Sequence, residues 1–377
     1  MGTPQAIHDF DHDRPMNWHP VTHRDVVMIP WGENVPGGAR RAAGLFNENS
    51  DFMPEGHCWR SSSAPITVAP IPPDITSPVE RLTGRWMFGG LFYAHFGHFL
   101  VETTARLWAV PQIDTLEGIV FYPKQKMTHE WRYIREMMPF FAQCGLGHLK
   151  IRAPQQPVVI DELLTPPQGF GMSEMMAGRP EYRAWVRDTI GRDVAPAGAD
   201  KVYASRAHLP LKRGTILRET WLEALMEKAG YTIIHPQEMS FAAQIAQWKA
   251  AKQIVGLDGS ALHLAAMLAR PDAQVAVINR GPSQNIADYI LQFRHFAGVE
   301  ATRIDAIAGC WTPEGQRFVK REVQARLDFA AAGKALVTAG FLADSEDWID
   351  PPEAEIMAEI DALSASLGAP LTYRKLN

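Results

Sequence analysis

The chain has 377 residues, 46% of them hydrophobic and 21% charged, with a net charge of -5 and an isoelectric point near 6.2. That is material for two soluble domains of ordinary size, and the acidic balance disfavours a general nucleic-acid binder while leaving room for a local basic pocket. Three scattered cysteines, Cys58, Cys144 and Cys310, argue against a disulfide framework and against structural zinc.

In chain order, the opening residues are polar and acidic and carry no basic-then-apolar leader. No apolar run approaches the roughly 20 residues of a membrane span, so a cytoplasmic protein is expected. The first eighty residues are rich in Pro and Gly, with short strand patterns at Val26–Ile29 and Ile66–Val68. Arg85–Leu91 reads as a strand or a turn, His95–Val110 as the first clear helix, and Gly118–Tyr122 as a buried strand ended by Pro123. A helix over about Thr128–Gln143 follows, closed by Gly145, then strands at Leu149–Ile151 and Val158–Ile160, and a helix opened by Pro180. The Ala-, Pro- and Gly-rich stretch Asp193–Asp200 reads as a linker.

Beyond the linker, strands and helices alternate. Lys201–Ser205, Tyr231–His235, Gln253–Gly256 and Gln274–Ile278 read as strands. Ile216–Ala229, Ser240–Ala251 and Ser260–Leu268 read as the helices between them. This rhythm predicts a doubly wound parallel sheet, which binds ligands outside the carboxyl ends of its strands. In the tail, helices are predicted around Gly315–Phe329 and Pro352–Leu367. The expected organisation is an α/β fold of three parts: residues 1–192, residues 193–310, and bracing helices over residues 311–377.

Three motifs carry chemistry. The loop after Lys201–Ser205 holds Arg206, His208, Lys212 and Arg213, with Arg218 and Glu219 opening the next helix. Guanidinium groups match phosphate oxygens bidentately, although a solvated basic loop looks the same in sequence. In Gly256-Leu-Asp258-Gly259-Ser260, a glycine turn leads into a helix that Ser260 can cap, and the helix N-terminus seats an anion. Asp258 would repel phosphate there, which suits it better to a sugar hydroxyl or to a base. On the first helix, His98, Glu102 and Arg106 recur every four residues and share one face. Such a stripe either faces solvent or lines a cleft where a carboxylate–imidazole pair moves protons. The acidic run Asp9–Asp13 lacks the glycine and glutamate of an EF-hand-like loop and reads as solvated; no metal site is expected.

In order and spacing these motifs resemble glycosyltransferase family 61. The matching residues are Gly97-His98 to Arg106, Ser205-Arg206, Arg213 with Arg218-Glu219, and Gly256 to Leu262. The resemblance spans roughly His95 to Arg280. It departs at Asp258, where the family usually has histidine.

The resemblance implies two Rossmann-like domains facing a cleft in a GT-B-like arrangement, the first receiving the acceptor and the second the nucleotide-sugar. It implies an inverting, metal-independent transferase with no cofactor beyond its donor substrate, acting on a glycan acceptor. Glu102 is the leading candidate base, with His98 orienting or replacing it and Asp258 next. Ser205, Arg206, Arg213, Arg218, Glu219, Gly259 and Ser260 are the expected donor-binding residues. With no secretory leader or anchor in view, the expected setting is bacterial capsule or exopolysaccharide assembly. A non-catalytic nucleotide-sugar binder and a nucleotide-sugar epimerase are the alternatives.

Overall fold

A computed structural model describes residues 9–32, 40–72, 79–124, 130–210, 213–281, 285–315 and 323–376, and every absence noted below refers to these. The chain divides into two compact units, Met1–Asp193 and Val194–Asn377.

The first unit is built on a seven-stranded sheet. Lys150–Arg152, Gly118–Pro123, Glu80–Phe92 and Val158–Leu164 lie side by side and run parallel. Thr22–Ile29, Gly44–Phe46 and Phe52–Met53 continue the sheet as antiparallel strands. Every residue of Gly118–Pro123 is buried, as a parallel strand covered on both faces requires. Val26, Leu82, Trp86, Phe88, Val120 and Ile160 pack in one cluster. Phe92 and Phe121 pack edge-on against each other, and Phe92 also meets Phe99. Phe99 in turn meets Phe140 and Phe141 of the helix Glu130–Gln143. Emptying the fully buried Phe99 site with alanine would cost about 3–5 kcal/mol.

The predicted helix over His95–Val110 exists with a changing pitch. It has an α turn at Phe96–His98, π geometry at Phe99–Thr103 and 3-10 geometry at Thr104–Gln112. Single π turns concentrate at functional sites.

The second unit holds a five-stranded parallel sheet. Thr232–Ile234, Lys201–Ala204, Gln253–Leu257, Gln274–Ile278 and Thr302–Ile304 are adjacent in that order. Numbered along the chain, the order is 2-1-3-4-5. The first strand is flanked by the second and third, so the direction of winding reverses between Lys201–Ala204 and Gln253–Leu257. A four-stranded sheet of Thr215–Ile216, Gln324–Leu327, Ile307–Pro313 and Leu371–Lys375 completes the unit with the helices Phe329–Thr338 and Glu353–Leu367.

Two expectations are corrected here. The helix predicted around Gly315–Phe329 is absent from its described part: Gln324–Leu327 is a strand paired with Ile307–Pro313, and helix begins only at Phe329. Asp328 fixes that start by accepting a bond from the Ala331 N–H at 2.8 Å. The helix predicted from Ile216 starts instead at Glu219, because Thr215–Ile216 pairs with Gln324 and Ala325, and Arg218 turns through a left-handed φ of 56°. The Arg218 N–H bonds Glu359 at 2.9 Å and its guanidinium bonds Glu355 at 2.6 Å, which holds a conformation unusual for a non-glycine residue.

Among the described residues, no helix is long and apolar enough to cross a membrane. The three cysteines are buried and free.

Candidate functional site

Each unit carries a candidate cluster at the carboxyl ends of its parallel strands. In the first unit the strand Glu80–Phe92 delivers Tyr93, whose backbone N–H donates to Thr103 Oγ1 at 2.9 Å. That bond sets the strand end against the π turn that carries Glu102. Glu102 is 5% exposed and uses both oxygens. Tyr93 donates its hydroxyl to Oε1 at 3.1 Å, and Oε2 lies 2.5 Å from His98 Nδ1. Arg60 Nε stands 3.7 Å from Oε1.

The sequence pairing of His98 with Glu102 is therefore real, but the two differ in access. The His98 side chain is 37% exposed against 3% for Glu102. A buried carboxylate accepting from Nδ1 fixes the tautomer that leaves the Nε2 lone pair available. The Tyr93 ring stacks on the imidazole at 5.0 Å and 19°, holding its plane. Arg106 does not join this pair. It is buried, donates to the carbonyls of Pro166 and His57, and lies over Phe88. Burial lowers its pKa from the usual arginine value.

In the second unit, the two strands that flank the reversal of winding feed the two predicted donor motifs. Arg206 follows Lys201–Ala204, and Asp258-Gly259 follows Gln253–Leu257. The motifs meet: a Cβ added at Gly259 would lie 2.7 Å from Arg206 Nη1. Arg206 Nη2 also donates to the Gly214 carbonyl at 3.1 Å. Gly259, in extended conformation, is the N-cap of the helix Ser260–Leu268, and no side chain caps it. The expected Ser260 cap is thus corrected, since Ser260 is itself the first helical residue.

Glu219 organises this loop from beneath. Its carboxylate, 3% exposed, accepts from the Arg206 N–H at 2.6 Å and from the Thr215 hydroxyl. Desolvation raises its pKa above the usual glutamate value against those bonds. Ser205, also buried, donates to Glu223 at 2.5 Å and accepts from the Ala207 N–H at 3.0 Å. Arg213 is exposed, Arg218 is tied to Glu355, and Lys212 lies outside the described residues.

Asp258 is fully buried, and its Oδ1 lies 2.8 Å from Arg280 Nε. Arg280 also donates to the Asp258 carbonyl at 2.7 Å and to the Gly214 carbonyl at 3.2 Å. Arg280 thus ties the Gly214 end of the loop to the glycine turn. Sequence analysis gives Arg280 no role; its place two residues beyond the strand Gln274–Ile278 was the available signal.

At the start of the described chain, Asp11, His12 and Asp13 bring ligand-type atoms within 4.8 Å of one another. Asp11 and Asp13 are exposed, and the Asp13 N–H bonds Asp11, lowering its pKa.

Residues 96–276 match the family model of glycosyltransferase 61. The matched span contains His98, Glu102, Arg206, Glu219, Asp258 and Gly259, and so reaches both clusters. No curated protein matches the chain.

Proposed function

We propose that the protein is an inverting glycosyltransferase that moves a sugar from a nucleotide diphosphate donor to a glycan hydroxyl. The observation that carries this reading is the contact of Arg206 with Gly259 at the reversal of the parallel sheet, within the segment similar to glycosyltransferase 61. A guanidinium set against an uncapped helix N-terminus is suited to a diphosphate. In this reading Arg206, the Gly259-Ser260 turn and the exposed charge of Arg213 stabilise the leaving group. Ser205, Glu219, Asp258 and Arg280 position them. Arg218, engaged by Glu355, is assigned to the fold.

The base is His98, oriented by Glu102. His98 Nε2 takes the proton of the acceptor hydroxyl, and the oxygen forms its bond to the anomeric carbon from the face opposite the leaving group. The anomeric carbon–oxygen bond breaks with its electron pair passing to the diphosphate, which departs with inversion. No metal step is needed in this scheme. Bacterial surface polysaccharide assembly is the setting we favour.

Calorimetric titration with UDP, GDP, CMP and their sugar conjugates tests the donor site. One nucleotide should bind, and Arg206→Ala should weaken it at least about tenfold, or roughly 1.4 kcal/mol. No binding to folded protein would overturn the reading. A second reading, a donor-binding protein without transfer, is favoured by Asp258, which stands where the family usually has histidine and is locked to Arg280. Nucleotide binding with neither transfer nor hydrolysis across an acceptor panel would select it.

A further inference from the structure

Beside the His98–Glu102 pair stands a cation that the proposed chemistry does not use. The strand Gly118–Pro123 runs parallel to Glu80–Phe92, so Lys124 emerges next to Tyr93, with its N–H bonded to the Phe92 carbonyl at 3.0 Å. The half-buried Lys124 ammonium lies 4.0 Å over the Trp31 ring and 5.9 Å from the Tyr93 ring. Among the described residues no hydrogen bond or ion pair engages it. Burial and then the charge of Arg60 push its pKa down to about 8, with Glu102 pulling the other way and Arg41 adding a smaller push down.

The local charge balance is uneven. The charges of Arg60 and Arg41 both act on Lys124, and Glu102, the carboxylate that acts on Lys124, already serves Tyr93 and His98. The Arg60 side chain is 41% exposed, and its contact with Glu102 is longer than a hydrogen bond. A partly desolvated ammonium that no described carboxylate contacts is costly, and an anion arriving from outside would relieve that cost.

We propose that Arg60 and Lys124 form a subsite for the carboxylate of an acidic sugar on the acceptor glycan, placed beside the base. This deepens the transferase reading and rests on it for the word acceptor. The same cations match a second source of negative charge, the donor diphosphate, and the test separates the two.

The full-length protein is treated at pH 8 with trace acetic anhydride, and acetylation of each lysine is followed by peptide mass spectrometry. Lys124 should react ahead of exposed Lys150. Saturating sodium glucuronate should slow Lys124 at least about threefold by occupying the site. Glucose and inorganic phosphate at matched ionic strength should not. In Arg60→Gln the glucuronate protection should fall away while Lys124 still reacts ahead of Lys150, an order that the unfolded chain, where both lysines return to their ordinary pKa, would not show. Equal protection by glucose and glucuronate would overturn the proposal. Protection by phosphate as strong as that by glucuronate would overturn it in favour of the donor diphosphate. The readout needs neither donor nor turnover, so a failure of nucleotide binding at Arg206 condemns the transferase reading alone. A failure of glucuronate protection condemns the subsite alone.

Discussion

At the scale of single residues, exposure favours His98 over Glu102, the partner that the sequence puts first as base. His98 and Glu102 touch, but only the imidazole presents an open atom. His98→Gln should therefore lower kcat by about 10²–10⁴ with KM little changed, the loss expected of a general base. Glu102→Gln should lower kcat less and retain binding, because an amide oxygen still orients Nδ1–H. Steady-state kinetics on the two variants checks this order, and equal losses with raised KM would make the pair a binding element instead. Lys124 supplies a stability prediction with a definite sign. Its folded pKa of about 8 lies below the ordinary 10.5, so the unfolded chain binds more protons between those values. The penalty is full below pH 8 and is relieved as pH rises toward 10.5. Lys124→Met should then melt no lower than wild type at pH 7, with any gain shrinking above pH 8. A drop in Tm at pH 7 would show that the lysine is structurally satisfied. The i, i+4 spacing made His98 and Glu102 legible in sequence. Tyr93, Arg60 and Lys124 were not, because each comes from a different strand and no local pattern joins them.

At the scale of elements, the parallel sheet of the second unit was legible because buried strands, glycine turns and helices alternate at regular spacing. The helix expected around Gly315–Phe329 was not, because the pairing of Gln324–Leu327 with Ile307–Pro313 overrides local pattern. The stripe through Arg106 misled for a related reason. Propensity does not report the passage from α through π to 3-10 pitch, and that passage gives Arg106 carbonyl partners of its own. The meeting of the two donor loops yields a prediction at this scale. Gly259 is extended, so alanine there adds no backbone strain, yet its Cβ would stand 2.7 Å from Arg206 Nη1. The flexible guanidinium must move away, and Gly259→Ala should weaken nucleotide binding about tenfold with Tm nearly unchanged. Calorimetry beside a melting curve reads both, and unchanged affinity would mean that the contact does not shape the donor site. Glu219→Ala should act differently, since it orphans the part-buried Arg206 N–H and should cost about 1–3 kcal/mol of stability as well as affinity.

At the scale of the whole molecule, each unit has its own sheet and its own buried cluster, which fixes where a ligand's effect should appear. Were the donor held by Arg206 and the Gly259-Ser260 turn, its nucleotide would protect the segments that follow the two central strands of the second sheet. At about a hundred times its dissociation constant, a nucleotide stabilises the form that binds it by about 2.7 kcal/mol. Hydrogen exchange with the nucleotide selected by calorimetry should therefore slow amides of Ser205–Leu209 and Gly256–Ser260, and leave Tyr93–Arg106 unchanged. Adding an acidic-sugar acceptor should then slow exchange at Tyr93 and around His98, because the base cluster and the Lys124 subsite belong to the first unit. Protection by nucleotide alone at Tyr93–Arg106, with none after Lys201–Ala204, would assign the donor to the first unit and reverse the roles argued here for both clusters.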